Sequence, residues 1–239
     1  MRILAIDTSL PAVSACVLDD DAETPIAAET IEMERGHGEA LLPLVERVMA
    51  KVEGGFASLD RIAVTVGPGS FTGIRIGLAA GQAIGLACKC DVVGVSTLAA
   101  LATPLILGDY DGVLAAAIDA RYGKVYIAAF GPDGRPIVAP RRDGALEALR
   151  AMGAGPLILT GSGAELIARE ARARGVPTRI VNEQAYPDIA FVARLGMAAN
   201  PATAAGPFGL ISRTRNTVSA ASAISSMIAP SFSGRPGSR

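Results

Sequence analysis

The sequence predicts an α/β protein built as two similar lobes, and three observations carry that prediction. An apolar run ending on an aspartate, a tight turn and a returning apolar run occur twice, at 3–7 with 13–18 and at 113–119 with 124–130. A third extended segment follows each pair, at 26–33 and at 135–139. Strand-length apolar runs then alternate with segments of helical period in both halves. A duplicated three-stranded meander followed by alternating helices and strands belongs to the layered α/β class.

Taken in order, the first half reads as three strands, a helix over 38–53, a strand at 62–66, a helix over 74–89, a strand at 92–95 and a helix over 96–107. Leu10-Pro11 supplies the first turn. His37 reads as a residue that packs or caps at a helix start, with Leu41, Leu42, Val45 and Val48 following on one side of that helix. The second half repeats the pattern, with helices over 143–152, 163–174 and 187–199 and strands at 157–160 and 179–182. Its turns are Tyr122-Gly123 and Pro132-Asp133-Gly134. The polar stretch Gly108-Asp109-Tyr110-Asp111-Gly112 divides a lobe at 1–108 from a lobe at 109–206.

Composition narrows the function classes. Half of the 239 residues are hydrophobic and 19% are charged, which is globular, with enough chain for a sizeable core. No apolar run reaches the roughly 18 uncharged residues of a membrane span. No export signal is legible behind Arg2, and three cysteines suit reduced thiols, so a cytoplasmic location is expected. The formal charge of −1 hides an asymmetry. The last 33 residues carry four arginines and no acid, which leaves 18 basic against 23 acidic residues for positions 1–206. That balance makes the body a poor nucleic-acid binder by itself. The single histidine excludes an all-histidine metal site. There is no Gly-x-Ser-x-Gly elbow and no Gly-x-x-x-x-Gly-Lys-Ser/Thr loop.

Two features carry chemistry or recognition. Gly73, Gly77, Gly81 and Gly85 recur every fourth residue of a helix that follows the Gly67-Pro68-Gly69-Ser70 turn. Each interior glycine costs up to roughly 1 kcal/mol against alanine, so the stripe implies a very close neighbouring backbone. That neighbour is either a partner or the protein's own sheet. Asp7 and Asp119 close the first strand of each lobe. Facing one another, they would form a cleft in which Thr8, Ser9 and backbone N–H groups hold phosphate and the carboxylates hold hydrated Mg²⁺. Arg121 would join such a nucleotide site, and Gly161 and Gly163 would line the base or ribose, unless they only form a plain strand-to-helix turn. The alternative is that each aspartate only closes its turn through an Asx hydrogen bond.

Five segments together resemble the TsaB (YeaZ) family. They are Ile6-Asp7-Thr8-Ser9, His37 leading into Glu39–Pro43, Gly67–Gly77, Gly94–Leu101 and Asp119–Tyr126, in order over roughly residues 1–200. The resemblance implies a two-lobed actin-like (ASKHA, duplicated RNase H-like) fold. It also implies a part in forming N6-threonylcarbamoyladenosine at position 37 of ANN-decoding tRNAs. In that pathway TsaD, a metal-bearing paralogue, transfers the group, TsaB binds TsaD, and the ATPase TsaE joins them. The paralogue carries two metal-binding histidines where this chain has Thr97 and Leu101. A non-catalytic subunit is therefore expected, reaching tRNA only through the complex. No tightly bound cofactor is expected; weak ATP or ADP, with Mg²⁺, could occupy a vestigial cleft. The family resemblance also directs the glycine-striped helix to the partner. The expected interface, with TsaD or with a second copy when TsaD is absent, comprises Leu41, Leu42, Val45, Gly73, Ile74, Gly77, Gly81 and Gly85. An ATP-dependent phosphotransferase of the same fold is the alternative.

The resemblance fails at the C-terminus. Family members tend to end soon after a Pro-x-Tyr-x-Arg-like segment, whereas here Pro207 opens an acid-free stretch rich in Ser, Ala and Gly. Its composition predicts a flexible tail over 207–239.

Overall fold

The computed structural model describes residues 1–108, 110–182 and 184–199, so the tail expected over 207–239 lies outside the described residues. Among the described residues, ten strands form two five-stranded sheets. The first holds β1 (Arg2–Asp7), β2 (Ala12–Asp19), β3 (Ala27–Glu32), β4 (Arg61–Thr65) and β5 (Asp91–Val95) in the order β3-β2-β1-β4-β5. The second holds β6 (Val113–Asp119), β7 (Lys124–Phe130), β8 (Pro136–Gly144), β9 (Leu157–Thr160) and β10 (Thr178–Ile180) in the order β10-β9-β6-β7-β8. In each sheet the first three strands are antiparallel and the last two run parallel to the first. Nearly every residue of β1 and β6 is buried, because both strands are central and covered on both faces. The duplication legible in the sequence is thus exact at the level of strand order and direction, and it is the topology of the actin-like fold.

Among the described residues, six helices complete five layers: α1 (His37–Met49), α2 (Phe71–Cys88), α3 (Thr97–Leu107), α4 (Ala145–Ala151), α5 (Ala164–Arg172) and α6 (Ile189–Ala198). α1 and α2 cover the outer face of the first sheet, where Leu4, Ile6, Ile62 and Val64 meet Leu41, Leu44 and Val48. α4 and α5 cover the outer face of the second. α3 and α6 fill the space between the sheets and join both into one core with Ile3, Val93, Leu98, Leu105, Leu114, Phe130 and Val192. Each of these large side chains contributes about 1.5–3 kcal/mol on burial.

The two central helices are exchanged. α3, from the first half of the chain, packs on β6, β7 and β9, whereas α6, from the second half, packs on β1, β2, β4 and β5. The sheets respect the boundary near residue 108 and the helices cross it. Arg61 fixes the crossing from below: its Nη1 donates to the carbonyls of Gly196, Met197 and Ala199, each at 3.0 Å. That places a cation on the carbonyls at the end of α6, of which Gly196 O also accepts from the Ala199 amide at 3.4 Å.

Besides α2, which begins at Phe71 rather than 74 because Ser70 caps it there, two elements differ from their sequence reading by four residues or more. β8 runs to Gly144 rather than ending near residue 139, because Arg141–Gly144 pair with Lys124–Ile127 beyond a register shift. This takes the first residues of the expected 143–152 helix into the sheet, and Pro140 is tolerated on an edge strand. α1 stops at Met49 instead of 53, where the chain turns through Gly54 and Gly55, both with positive φ, into a 3-10 turn at Gly55–Ser58.

Candidate functional site

The first-lobe turn is sealed. Asp7, Thr8 and Ser9 are each 0% exposed. Asp7 Oδ1 accepts from the Ser9 amide at 2.9 Å, Ser9 Oγ at 2.6 Å and Thr65 Oγ1 at 2.5 Å. Thr97 Oγ1 donates to Ser9 Oγ at 3.2 Å, and Thr8 Oγ1 donates to the Gly73 carbonyl at 2.7 Å. The Gly67–Ser70 turn lies directly over this network. The Ser70 amide bonds to Ser9 O at 2.7 Å, and a Cβ on Gly69 would fall 2.2 Å from the same oxygen. Gly69 is there because only a residue without a side chain lets the two turns touch. Ser70 also caps α2, its Oγ accepting from the Gly73 amide at 3.2 Å.

The second-lobe turn is open. Asp119 is exposed, and its Oδ1 accepts from the Arg121 amide at 2.7 Å. Both aspartates therefore close their turns by Asx hydrogen bonds, as the plainer reading of the sequence had it. Gly161 and Gly163 do not line a cleft. Their Cβ positions would meet Ala117 O at 2.4 Å and the Ile118 carbonyl carbon at 2.9 Å, so both serve the close packing of the 161–163 turn on β6. Ser162 Oγ accepts from the Asp119 amide at 3.1 Å. With Asp7, Thr8 and Ser9 inaccessible and only Asp119 and Arg121 at the surface, the residues do not fit a nucleotide held between two carboxylates. Thr97 and Leu101, on α3, are packed in the central core.

One oxygen in the sealed network is unsatisfied: Asp7 Oδ2 is buried with no hydrogen-bond partner. Burial raises the Asp7 pKa, opposed by the bonds from Ser9 and Thr65 and by His37, the nearby cation when protonated. A carboxyl whose folded pKa lies above its unfolded value binds its proton more tightly in the native state. Its contribution therefore favours folding at low pH and is lost as pH rises through the folded pKa. Wild-type protein is expected to lose stability relative to Asp7→Asn as pH rises from below 4 to neutrality, measured by thermal melts of both proteins at each pH. A difference independent of pH would show that Asp7 does not titrate in the native state.

The glycine stripe turns inward, which corrects the expected interface. A Cβ would lie 2.0 Å from Thr8 O at Gly73, 2.5 Å from Thr8 Oγ1 at Gly77, 2.4 Å from Val64 Cγ2 at Gly81 and 2.4 Å from Val92 Cγ2 at Gly85. The close backbone is the protein's own sheet. Leu41 and Val45 are likewise 1% exposed, in the core beneath α1, and Ile74 is half-buried. Of the eight residues expected at an interface, only Leu42 is an exposed side chain.

The opposite face of α2 is the exposed one. Phe71 is 69% and Leu86 83% exposed, and Arg75, Ala79, Gln82, Ala83 and Ala87 lie open between or beside them. The Arg75 guanidinium sits 3.7 Å from the Phe71 ring centroid. Sequence reasoning missed Phe71 and Leu86, although helical period could have found them. Residues two positions from a stripe lie about 200° around the helix, so a glycine face turned to the sheet puts 71, 75, 79 and 83 outside, and 86, seven residues after 79, falls on the same side. By length and composition α2 could also cross a membrane, but its glycine face is packed on β1, β4 and β5.

Comparison with known proteins fits this architecture. The family profile "TsaD: tRNA N6-adenosine threonylcarbamoyltransferase" matches residues 30–153, just over half the chain. The chain is 35% identical over 133 residues to the Escherichia coli tRNA threonylcarbamoyladenosine biosynthesis protein TsaB, covering 56% of each. It is 32% identical over 126 residues to the Bacillus subtilis TsaB, covering 53% of each. The chain thus spans about half the length of the curated relatives it matches. Among solved structures, Pseudomonas aeruginosa YeaZ is similar with a TM-score of 0.63 at 26% identity, over 80% of this chain and 89% of that one. A second Pseudomonas aeruginosa structure, described as similar to peptidase YEAZ, gives a TM-score of 0.65 at the same identity and covers 88% of that protein. A duplicated five-stranded sheet, a glycine helix laid on the first of its copies and these likenesses agree: the chain belongs to the TsaD family, on its TsaB (YeaZ) side.

Proposed function

We propose that this protein is a non-catalytic subunit of the machinery that makes N6-threonylcarbamoyladenosine in tRNA, and that it works by docking the catalytic paralogue TsaD. The observation that carries the reading is the outer face of α2. It is an apolar helix surface of a soluble-type fold left open from Phe71 to Leu86, with Leu42 of α1 exposed on the adjacent helix of the same layer. Apolar faces of this kind, edged by polar residues such as Arg75 and Gln82, suit a protein partner. The occupant is TsaD, or a second copy of this chain when TsaD is absent, with TsaE joining the pair. A hydroxyl at Thr97 and an alkyl group at Leu101, both turned into the core where the resemblance puts the paralogue's imidazoles, support the non-catalytic reading. The sealed Asp7 turn favours a subunit that acts without bound nucleotide, and it speaks against a phosphotransferase. The setting is the cytoplasm, where tRNA is modified, and tRNA is acted on by TsaD rather than by this chain.

The test is reconstitution. Purified chain is mixed with TsaD, TsaE, threonylcarbamoyl-adenylate and an unmodified ANN-decoding tRNA. Modified nucleoside should form with the chain and fall to background without it, and TsaD should co-elute with it in gel filtration. Modification by this chain alone, or full activity of TsaD and TsaE without it, would refute the assignment.

A further inference from the structure

We infer that the β6–β7 hairpin turn, Asp119–Lys124, together with Arg142 beside it, is a contact surface for single-stranded RNA, with Tyr122 as the base-stacking platform. The ligand class rests on the reading just given, since a tRNA-modification subunit meets RNA, and it adds a contact of this chain's own to the expectation that tRNA is reached only through the complex. The surface itself stands on separate observations.

Tyr122 is 95% exposed, more than any other large hydrophobic residue described. It makes no packing contribution there, and the backbone makes its presence harder to explain. Arg121, Tyr122 and Gly123 have successive φ values of 62, 55 and 70°, a left-handed run in which two side-chain-bearing residues, one of them aromatic, are disfavoured. The turn is nonetheless firmly held. The Ala120 amide bonds to Lys124 O at 2.9 Å and the Lys124 amide to Arg121 O at 3.1 Å. The Arg121 amide is tied to Asp119, and the Ala145 amide reaches Gly123 O at 3.2 Å. The ring is thus presented on a fixed support.

Around it the charge is positive. Arg121, Lys124 and Arg142 are exposed, and none belongs to an ion pair among the described residues. Arg142 Nη2 donates to Ala120 O at 3.1 Å, which anchors the guanidinium beside the turn. Of the neighbouring acids, Asp119 accepts from the turn backbone and Asp143 pairs with Arg141 at 2.6 Å, while the carboxylate of Glu147 lies against Gly144, opposite Lys124. In the sheet register Tyr126 faces Arg142 and Lys124 faces Gly144, so Lys124 and Arg142 share one face. A free aromatic face flanked by cations is the composition that takes a nucleobase on the ring and phosphates on the charges. An acidic peptide would use the cations and leave the ring idle. No groove is needed to read base edges, so recognition is tolerant of sequence.

The experiment is fluorescence anisotropy of the full chain, without partners, against a labelled unmodified ANN-decoding tRNA transcript at about 50 mM salt. Low salt matters because the body of the chain is net acidic. Arginines beyond residue 206 give every variant the same background. Tyr122→Phe should bind like wild type, and Tyr122→Ala and Tyr122→Leu should each bind about tenfold more weakly. Lys124→Gln should reduce the slope of log affinity against log salt by about 0.7. Melting temperatures should not change, since the ring is exposed. Equal affinity for wild type and Tyr122→Ala, retained affinity in Tyr122→Leu, or no binding by wild type would each overturn the assignment. No partner takes part, so this result can fail while TsaD docking succeeds, or the reverse.

Discussion

Gly81→Leu, and equally Gly77→Leu, will unfold the chain rather than yield a folded subunit unable to pair. Val64 Cγ2 already lies 2.4 Å from where the first added carbon at Gly81 would stand, and Thr8 Oγ1 lies 2.5 Å from that of Gly77. Thr8 directly follows the end of β1, and Val64 is in the middle of the adjacent central strand, paired with Ile6. Neither can retreat without dislocating the sheet that α1 and α6 also pack upon. Overpacking of well-packed cores costs about 1–3 kcal/mol for a methylene or two, and a whole isobutyl group against a strand exceeds that. Set against a net stability of about 5–15 kcal/mol, the loss leaves little native protein. Urea melts followed by far-ultraviolet circular dichroism would measure it. Gly38→Ala in α1 is the control: its Cβ meets only Ile76 Cδ1, at an ordinary 3.7 Å, and a helical glycine gains up to about 1 kcal/mol on becoming alanine. A Gly81→Leu protein that melts like wild type and has lost only its partner would return the glycine face to the interface.

The second large effect is on association and leaves folding alone. Phe71→Asp combined with Leu86→Lys should weaken binding to TsaD by at least about 100-fold, as expected when two central apolar anchors of an interface are replaced by charges. Stability should stay within about 0.5 kcal/mol of wild type, because both side chains are mostly in water in the free subunit. The choice of charge protects the helix. Asp at the first residue of α2 and Lys near its last turn both oppose the helix dipole favourably. Isothermal titration calorimetry with TsaD reads the affinity, and a thermal melt reads the fold. Undiminished affinity would show that the partner docks elsewhere on the protein.

Much of the architecture was legible because its signals are local. Asp7 and Asp119 each end a buried strand and each recruit a backbone amide two residues on, so the repeat is visible as text. The β9 limits were read correctly at 157–160 because a short apolar run is bounded by Pro156 and Gly161. β8 was read short because strand pairing with β7, a non-local interaction, overrode the helical look of 143–152. The functional surfaces were less legible. A glycine stripe states that a backbone comes close and does not state whose backbone it is. Leu41 and Leu42 are adjacent and chemically identical, yet one is 1% and the other 53% exposed. The sealed turn over Asp7 depends on Gly69 meeting Ser9, sixty residues away in sequence.

The sequence by itself determined the α/β class, the twofold repeat and the family, since each is written in residue identity and short-range period. Tertiary structure alone decided which side of α2 meets solvent, that α3 and α6 trade lobes, and that the first aspartate is closed off while the second is open. Those outcomes turn on which distant surfaces fit together, and periodicity in one segment carries no information about the shape of another.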